Sequence, residues 1–246
     1  MTGQEKPAGQ TRYSTAMMLC AGFSRRLCNW LGLHVCGIYC KALTASTDPN
    51  PNLPGFTARF FGKNEAEALI ACSRHPELDL SETFIRCAID KGDVCAAIIC
   101  NDTVISYLWL AFSPTHDMSG VHIRFRETDL YCYKALTLPE FRGRRLPRIL
   151  SVLSDCYCLK RGSTHTIGYI DIHNQPSIRA VTTQGALRFG FAGYFKCGSI
   201  FIAFRTKGVR QRGFHFFLPG RNECRDITDR DYREFVKNSP LENEIR

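Results

Sequence analysis

Leu136–Lys160 reads LTLPEFRGRRLPRILSVLSDCYCLK. The stretch opens as the end of a strand, passes through a short Gly-Arg loop and enters an amphipathic helix started by Pro147, whose fixed φ suits a first helical position. Loop and helix start carry Arg142, Arg144, Arg145 and Arg148, with no acid after Glu140 until Asp155. The first N–H groups of a helix lack intrahelical partners, so a strand feeding a helix through a glycine can aim several of them at one phosphate. Four arginines around that point predict a bound diphosphate, and therefore a phosphorylated cofactor rather than nucleic acid. The alternative for the same residues is an ordinary strand–helix turn whose arginines form a solvated face.

Thr137, Leu138, Pro139, Glu140, Phe141, Arg142 and Gly143 resemble the acyl-coenzyme A loop of the GNAT superfamily, the coenzyme A-dependent N-acyltransferases, commonly V-x-P-x-[YF]-R-G-x-G-[IL]-G. Arg145 stands where that family usually has glycine, and Pro147 where it has glycine or alanine. Arginine crowds the backbone but can bind phosphate bidentately; proline removes one N–H donor. A modified phosphate site is the result. A second block begins in the strand Thr166–Ile172 and runs through His173 to Arg179. Asn174, Ser177, Ile178, Arg179 and Gly185 match the family's N-x-x-S-[IV]-R-x-Y-x-x-x-G-F in register, with Val181 at the tyrosine position and Ala186 at the phenylalanine position. A Gly-Phe pair does follow at Gly190-Phe191, which a longer helix would bring into place. The resemblance spans about residues 56–206 and is sharpest at 136–188.

That resemblance implies an α/β (α+β) fold with a mixed, mostly antiparallel central sheet, flanked by helices and splayed where acyl-coenzyme A binds. It implies an acetyl group passing from acetyl-CoA to a primary amine by direct attack. Leu136, Thr137, Leu138, Arg142, Gly143, Arg144, Arg145, Leu146, Pro147 and Arg148 would hold the donor, with Asn174 and Ser177. The amine must be deprotonated and the thiolate helped to depart. In some relatives a carboxylate lies six residues before the loop's valine position; here that residue is Tyr131, and Asp129 shares its face. Asp171 and His173 form a second pair on one face of the following strand, where histidine could relay a proton. In the family's tyrosine role Val181 is inert. Two rivals stay open: a longer acyl donor on an acyl-carrier protein, and a non-catalytic module that keeps the fold.

The 246 residues are 44% hydrophobic, enough for one sizeable core with extensions. The net charge of +9 is concentrated: residues 141–161 hold six Lys/Arg against one acid, whereas the tail from Gly208 holds eight against seven. A local cluster suits an anionic cofactor more than a nucleic-acid face, so no nucleic-acid partner is expected. Thirteen cysteines, several in apolar patterns (Cys87, Cys95, Cys100, Cys132, Cys156), read as reduced core residues, and Cys156-Tyr157-Cys158 has the wrong spacing for zinc. The protein is expected to be metal-free and cytoplasmic.

Residues 1–55 read as an N-terminal extension. Within 13–43 an apolar run mixed with Arg25, Arg26 and Lys41 predicts a helix, packed on the main domain or lying on a membrane surface. Its uncharged part, 27–40, is too short to span a bilayer. Residues 48–55 read as a linker. From there the expected order is strand, two helices, antiparallel strands, the Pro147 helix, a strand, the Ser177 helix and final strands. Residues 207–246 read as a C-terminal extension ending in a short charged helix at 226–238.

Overall fold

The computed structural model describes residues 32–45, 54–113, 115–118, 120–218 and 224–227. Alternation of apolar side chains and tight turns produces most of the strands. β3 (Val94–Cys100) and β4 (Thr103–Ala111) form a hairpin around Asn101 and Asp102. Both turn residues have left-handed φ (47° and 59°), a conformation Asn and Asp tolerate. β2 (Thr57–Phe61) pairs with β3, and β7 (Asp129–Thr137) pairs with β4, all antiparallel. Between β2 and β3 lie α1 (Ala66–Cys72) and α2 (Glu82–Asp90), the latter capped by Ser81, whose Oγ accepts from the Phe84 amide at 3.2 Å. α3 (Leu146–Leu159) then leads to β8 (His165–Asp171), α4 (Gln175–Thr182), β9 (Leu187–Cys197) and β10 (Ile200–Thr206).

The main sheet also takes in residues from both expected extensions. β1 (Leu33–Ala42) is a strand, not part of a helix, and it lies between β8 and β9, antiparallel to both. Val35, Cys36, Ile38, Tyr39 and Cys40 are buried there. A run apolar on every face fits a strand covered on both sides, and periodicity alone does not separate it from a helix. β12 (Cys224–Ile227) pairs with β10, so this start of the expected charged helix is a strand. The nine-stranded order is β12-β10-β9-β1-β8-β7-β4-β3-β2, antiparallel except for β7/β8 and β10/β12. The expected mixed, mostly antiparallel sheet is therefore present, but it reaches beyond residues 56 and 206. Residues 13–31, most of the 48–55 linker and 228–238 lie outside the described residues.

Helices cover both faces of the β2–β7 half. Trp109 packs edge-on against Phe84 of α2, and the Tyr107 hydroxyl donates to the Leu78 carbonyl at 2.8 Å. On the opposite face Val94, Leu110 and Leu130 cluster with Cys158 of α3. A small second sheet of β5 (Thr115–Met118), β6 (Val121–Arg124) and β11 (His215–Phe217) covers the other half, through a core of Ile38, Ile123, Tyr131, Ile167, Phe214 and Phe216. The antiparallel strands expected after the two helices therefore do not all continue one sheet, since Val121–Arg124 belongs to this second one. The short α5 (Lys207–Gln211) joins β10 to it. Ten described cysteines are free; Cys95 is a core residue as expected, whereas Cys87 is exposed. No helix among the described residues is long and apolar enough to cross a membrane.

Candidate functional site

The parallel strands β7 and β8 pair at only three positions, Asp129↔His165, Leu130↔Thr166 and Tyr131↔Ile167. Both continue beyond that point, β7 to Thr137 and β8 to Asp171, without pairing to each other. A bulge accompanies the parting. Leu108 is opposite Ala135 and Trp109 opposite Tyr133, so Lys134 is an extra residue, with a left-handed φ of 41°. Its ammonium is held 2.7 Å from Asp79 Oδ2 and lies over the Phe84 ring. Gly168 stands at the start of the gap, where a Cβ would lie 3.2 Å from the Cys132 carbonyl oxygen. The result is a split in the sheet with unpaired strand edges on both sides.

β7 ends at the arginine loop. Thr137 is tied to Ser106 by a 2.7 Å hydroxyl bond, Leu138 is buried, and Leu136 packs into the core. Pro139–Phe141 forms one 3-10 turn, and Arg142 Nε donates back to the Thr137 carbonyl at 3.2 Å. Gly143 has φ 79° with open space around it, so backbone conformation, not crowding, calls for glycine. Arg145 also takes a left-handed φ, 59°, at the cap of α3. That explains the glycine of the resembling loop: an arginine here is strained by about 1 kcal/mol. Leu146 is buried and anchors the helix start, while Arg142, Arg144, Arg145, Pro147 and Arg148 are exposed. The Gly143, Arg144, Arg145 and Leu146 amides have no backbone acceptor among the described residues. Arg144 lies against the Phe141 ring at 5.3 Å.

Below this loop a cleft of about 580 Å³ runs along α3. Arg148, Ser151, Val152 and Asp155 form one wall, Cys40 to Ala42 of β1 the next, and Thr183 to Gly185 and Leu187 the far side; His165 and Arg212 close the lower end. Lys41 Nζ bonds Ser151 Oγ at 2.8 Å and Asp155 Oδ2 at 2.7 Å, a largely buried ion pair. α4, which flanks the cleft, has no buried residue.

The four candidate proton carriers are not together. Asp129 and His165 are adjacent, 3.7 Å apart, at the end of β7 remote from the loop, roughly 26 Å away by strand rise. Burial raises the Asp129 carboxyl, opposed by Arg212, His165 and Arg126. Tyr131 lies at the mouth of the split, stacked between Tyr133 (5.5 Å) and Tyr169 (6.2 Å), and donates its hydroxyl to Tyr169. Burial holds its pKa far above the ordinary phenol range, so it stays protonated near neutrality and is a poor acid. Asp171 Oδ1 accepts from the His173 amide at 2.8 Å, closing the turn after β8. Asn174 caps α4 by accepting from the Ser177 amide at 3.2 Å. α4 ends at Thr182 and Gly190-Phe191 lies in β9, so no longer helix brings that pair to the family position.

Sequence reading missed Asp93. Its carboxylate is buried just before β3 and accepts from the Tyr133 hydroxyl at 2.6 Å. Burial pushes it up to about 6, with the Tyr133 bond and Lys91 opposing. Only the pairing of distant strands brings Asp93 to Tyr133, although a lone Asp opening an apolar strand was a visible cue.

A scan against protein-family models finds no match, nor does a search of curated proteins. Among solved structures the chain is similar to a Drosophila protein at 16% identity, covering 70% of this chain and 56% of that one, TM-score 0.43. It is similar to a tandem GNAT protein from the clavulanic acid biosynthesis pathway at 14% identity, covering 76% and 57%, TM-score 0.43. It is also similar to AAC(6′)-Iy in complex with a bisubstrate analogue, CoA-S-monomethyl-acetylneamine, at 12% identity, covering 53% and 89%, TM-score 0.42. The chain thus spans little more than half the length of the first two proteins.

Proposed function

We propose that this chain is an acyl-coenzyme A-dependent N-acyltransferase that transfers an acetyl group to a primary amine. The observation that carries the reading is the split between β7 and β8, which leads along β7 into a loop with four arginines and open amides. Unpaired strand edges offer hydrogen bonds to an extended amide-bearing arm, and the loop offers charge to a diphosphate. An arm laid in the split would place its thioester near Tyr131 and Tyr133. The thioester supplies the activated acyl carbonyl. The Tyr131 hydroxyl is buried and donated to Tyr169, so the departing thiolate leaves as the anion and takes its proton from water. Asp93, reached through the Tyr133 hydroxyl, has the basicity to take the amine's proton near neutral pH. Arg142 and Arg144 bind the diphosphate together with the Gly143–Leu146 amides.

The test is thermal stabilisation by acetyl-CoA, with the wild type beside an Arg142→Ala, Arg144→Ala variant. A ligand at a hundredfold excess over its Kd stabilises by about 2.7 kcal/mol. A shift in the wild type that shrinks in the variant supports the donor site. A folded wild type with no shift refutes it. Acceptor-dependent thiol release on an amine panel then separates an enzyme from a binding module.

A further inference from the structure

Among the described residues, one face of the main sheet is left half covered. Across β1, β9 and β10 the register sets Leu33 beside Phe195 and Phe195 beside Ile202; the next row is Val35, Gly193 and Phe204. Alternation puts both rows, and Ile200, on the same side of the sheet. Val35 is buried there, but Leu33, Ile172, Phe191 and Phe204 around it are only partly so. Ile200 is 54% exposed and Ile202 36%. A lone exposed isoleucine means little, but two on one face, continuous with a half-covered cluster, make a patch. β12 flanks β10 only from Ala203 onward, and α4 has no buried residue, so neither closes this face.

Charge marks the same region. Residues 172–218 hold seven Lys/Arg and no Asp or Glu, in a chain with 23 acids. Arg188 lies over the Phe191 ring at 4.6 Å, on the patch itself. Lys196 follows Phe195 at one end, Lys207 follows Thr206 at the other, and all three cations are exposed. Apolar side chains edged by cations fit a surface that is greasy within and anionic at its boundary. Nucleic acid would need exposed aromatic faces for its bases, whereas the most exposed side chains here are aliphatic. A second copy meeting the patch about a twofold axis would set cations against cations. We propose that this face docks on an anionic lipid surface, with Ile200 and Ile202 entering the acyl region and Arg188, Lys196 and Lys207 at the phosphates. In the sheet order β1 and β8 stand between β9 and β7, so docking leaves the arginine loop free.

The experiment is cosedimentation of the full chain with phosphatidylcholine vesicles, with and without phosphatidylserine. It compares the wild type with an Ile200→Ser, Ile202→Ser variant and with Lys196→Glu. The altered side chains are exposed, and thermal unfolding checks that each variant is folded. The wild type should bind vesicles containing phosphatidylserine about tenfold or more tightly than phosphatidylcholine alone, and lose that preference as salt rises. The double serine variant should weaken binding to the phosphatidylserine vesicles about tenfold or more. Lys196→Glu should weaken it about fivefold or more, with no effect on phosphatidylcholine alone. A wild type that ignores phosphatidylserine would overturn the proposal. So would lipid binding that survives unchanged in the folded double serine variant, which would move the contact to the arginine loop or to residues 1–31. Self-association that the double serine variant abolishes, without lipid binding, would assign the face to a second copy and overturn the proposal as well.

Discussion

Replacing Asp93 by Asn should make the protein more stable at pH 8. In the folded chain burial lifts the Asp93 carboxyl to about 6 from an ordinary 3.8. Between those values the folded state binds more protons than the unfolded state. Stability therefore falls as pH rises from about 4 to about 6, and stays lowered above. Two units of pKa correspond to a penalty on the order of 3 kcal/mol at pH 8. Asn removes the charge but keeps an acceptor for the Tyr133 hydroxyl, 2.6 Å away. Loss of a charge-assisted bond gives back roughly 1 kcal/mol, so the net gain should be about 1–2 kcal/mol. Urea unfolding followed by tryptophan fluorescence, from pH 4 to 8, measures it. Buried Asp129 and His215 titrate alike in both proteins and cancel in the difference. The gap between variant and wild type should open from pH 4 to 6 and then hold. A variant less stable than wild type at pH 8, or a gap that does not change with pH, would refute the reasoning.

Removing residues 1–45 should abolish cooperative unfolding in calorimetry, because five buried side chains of β1 go at about 1.5–3 kcal/mol each, as much as the whole stability of a typical domain. Gly193→Ala should cost about 1–3 kcal/mol or more in urea unfolding, since a Cβ there would strike the His34 carbonyl and the Phe204 ring. Lys41→Met should destabilise by about 3–5 kcal/mol by stranding Asp155, whereas the double change Lys41→Met, Asp155→Leu should recover most of the loss in the same assay.

Most of the β2-to-β10 order was legible because those elements carry a local signal, whereas β5 was not read and β6 belongs to the second sheet. Ser81 caps, Asn101-Asp102 turns, and Pro147 marks a helix start. β1 was not legible, since the apolar run Val35–Cys40 at its centre satisfies helix and strand alike, and only its partners β8 and β9 decide. The same limit governs the site. The arginine loop is contiguous in sequence and could be read there. The split comes with a bulge at Lys134, and Asp93 gains its character from burial beside Tyr133, in surroundings made by three paired strands. Asp171 and Asn174 had the right spacing, and the structure adds that each accepts a backbone amide, from His173 and Ser177, in turn and cap bonds that spacing does not reveal.

The position of β1 also governs the order in which the molecule can assemble. Cys36 pairs with Asp171 and Leu33 with Phe195, so a strand made early on the ribosome must wait for partners made much later. The β2–β7 half can close from neighbours alone, whereas the half bearing β8 and β9 closes only when β1 returns to its centre. Such non-local closure is slow and leaves an apolar strand exposed during synthesis. Nascent chains released before residue 195 would carry that strand uncovered, making them natural clients for a chaperone.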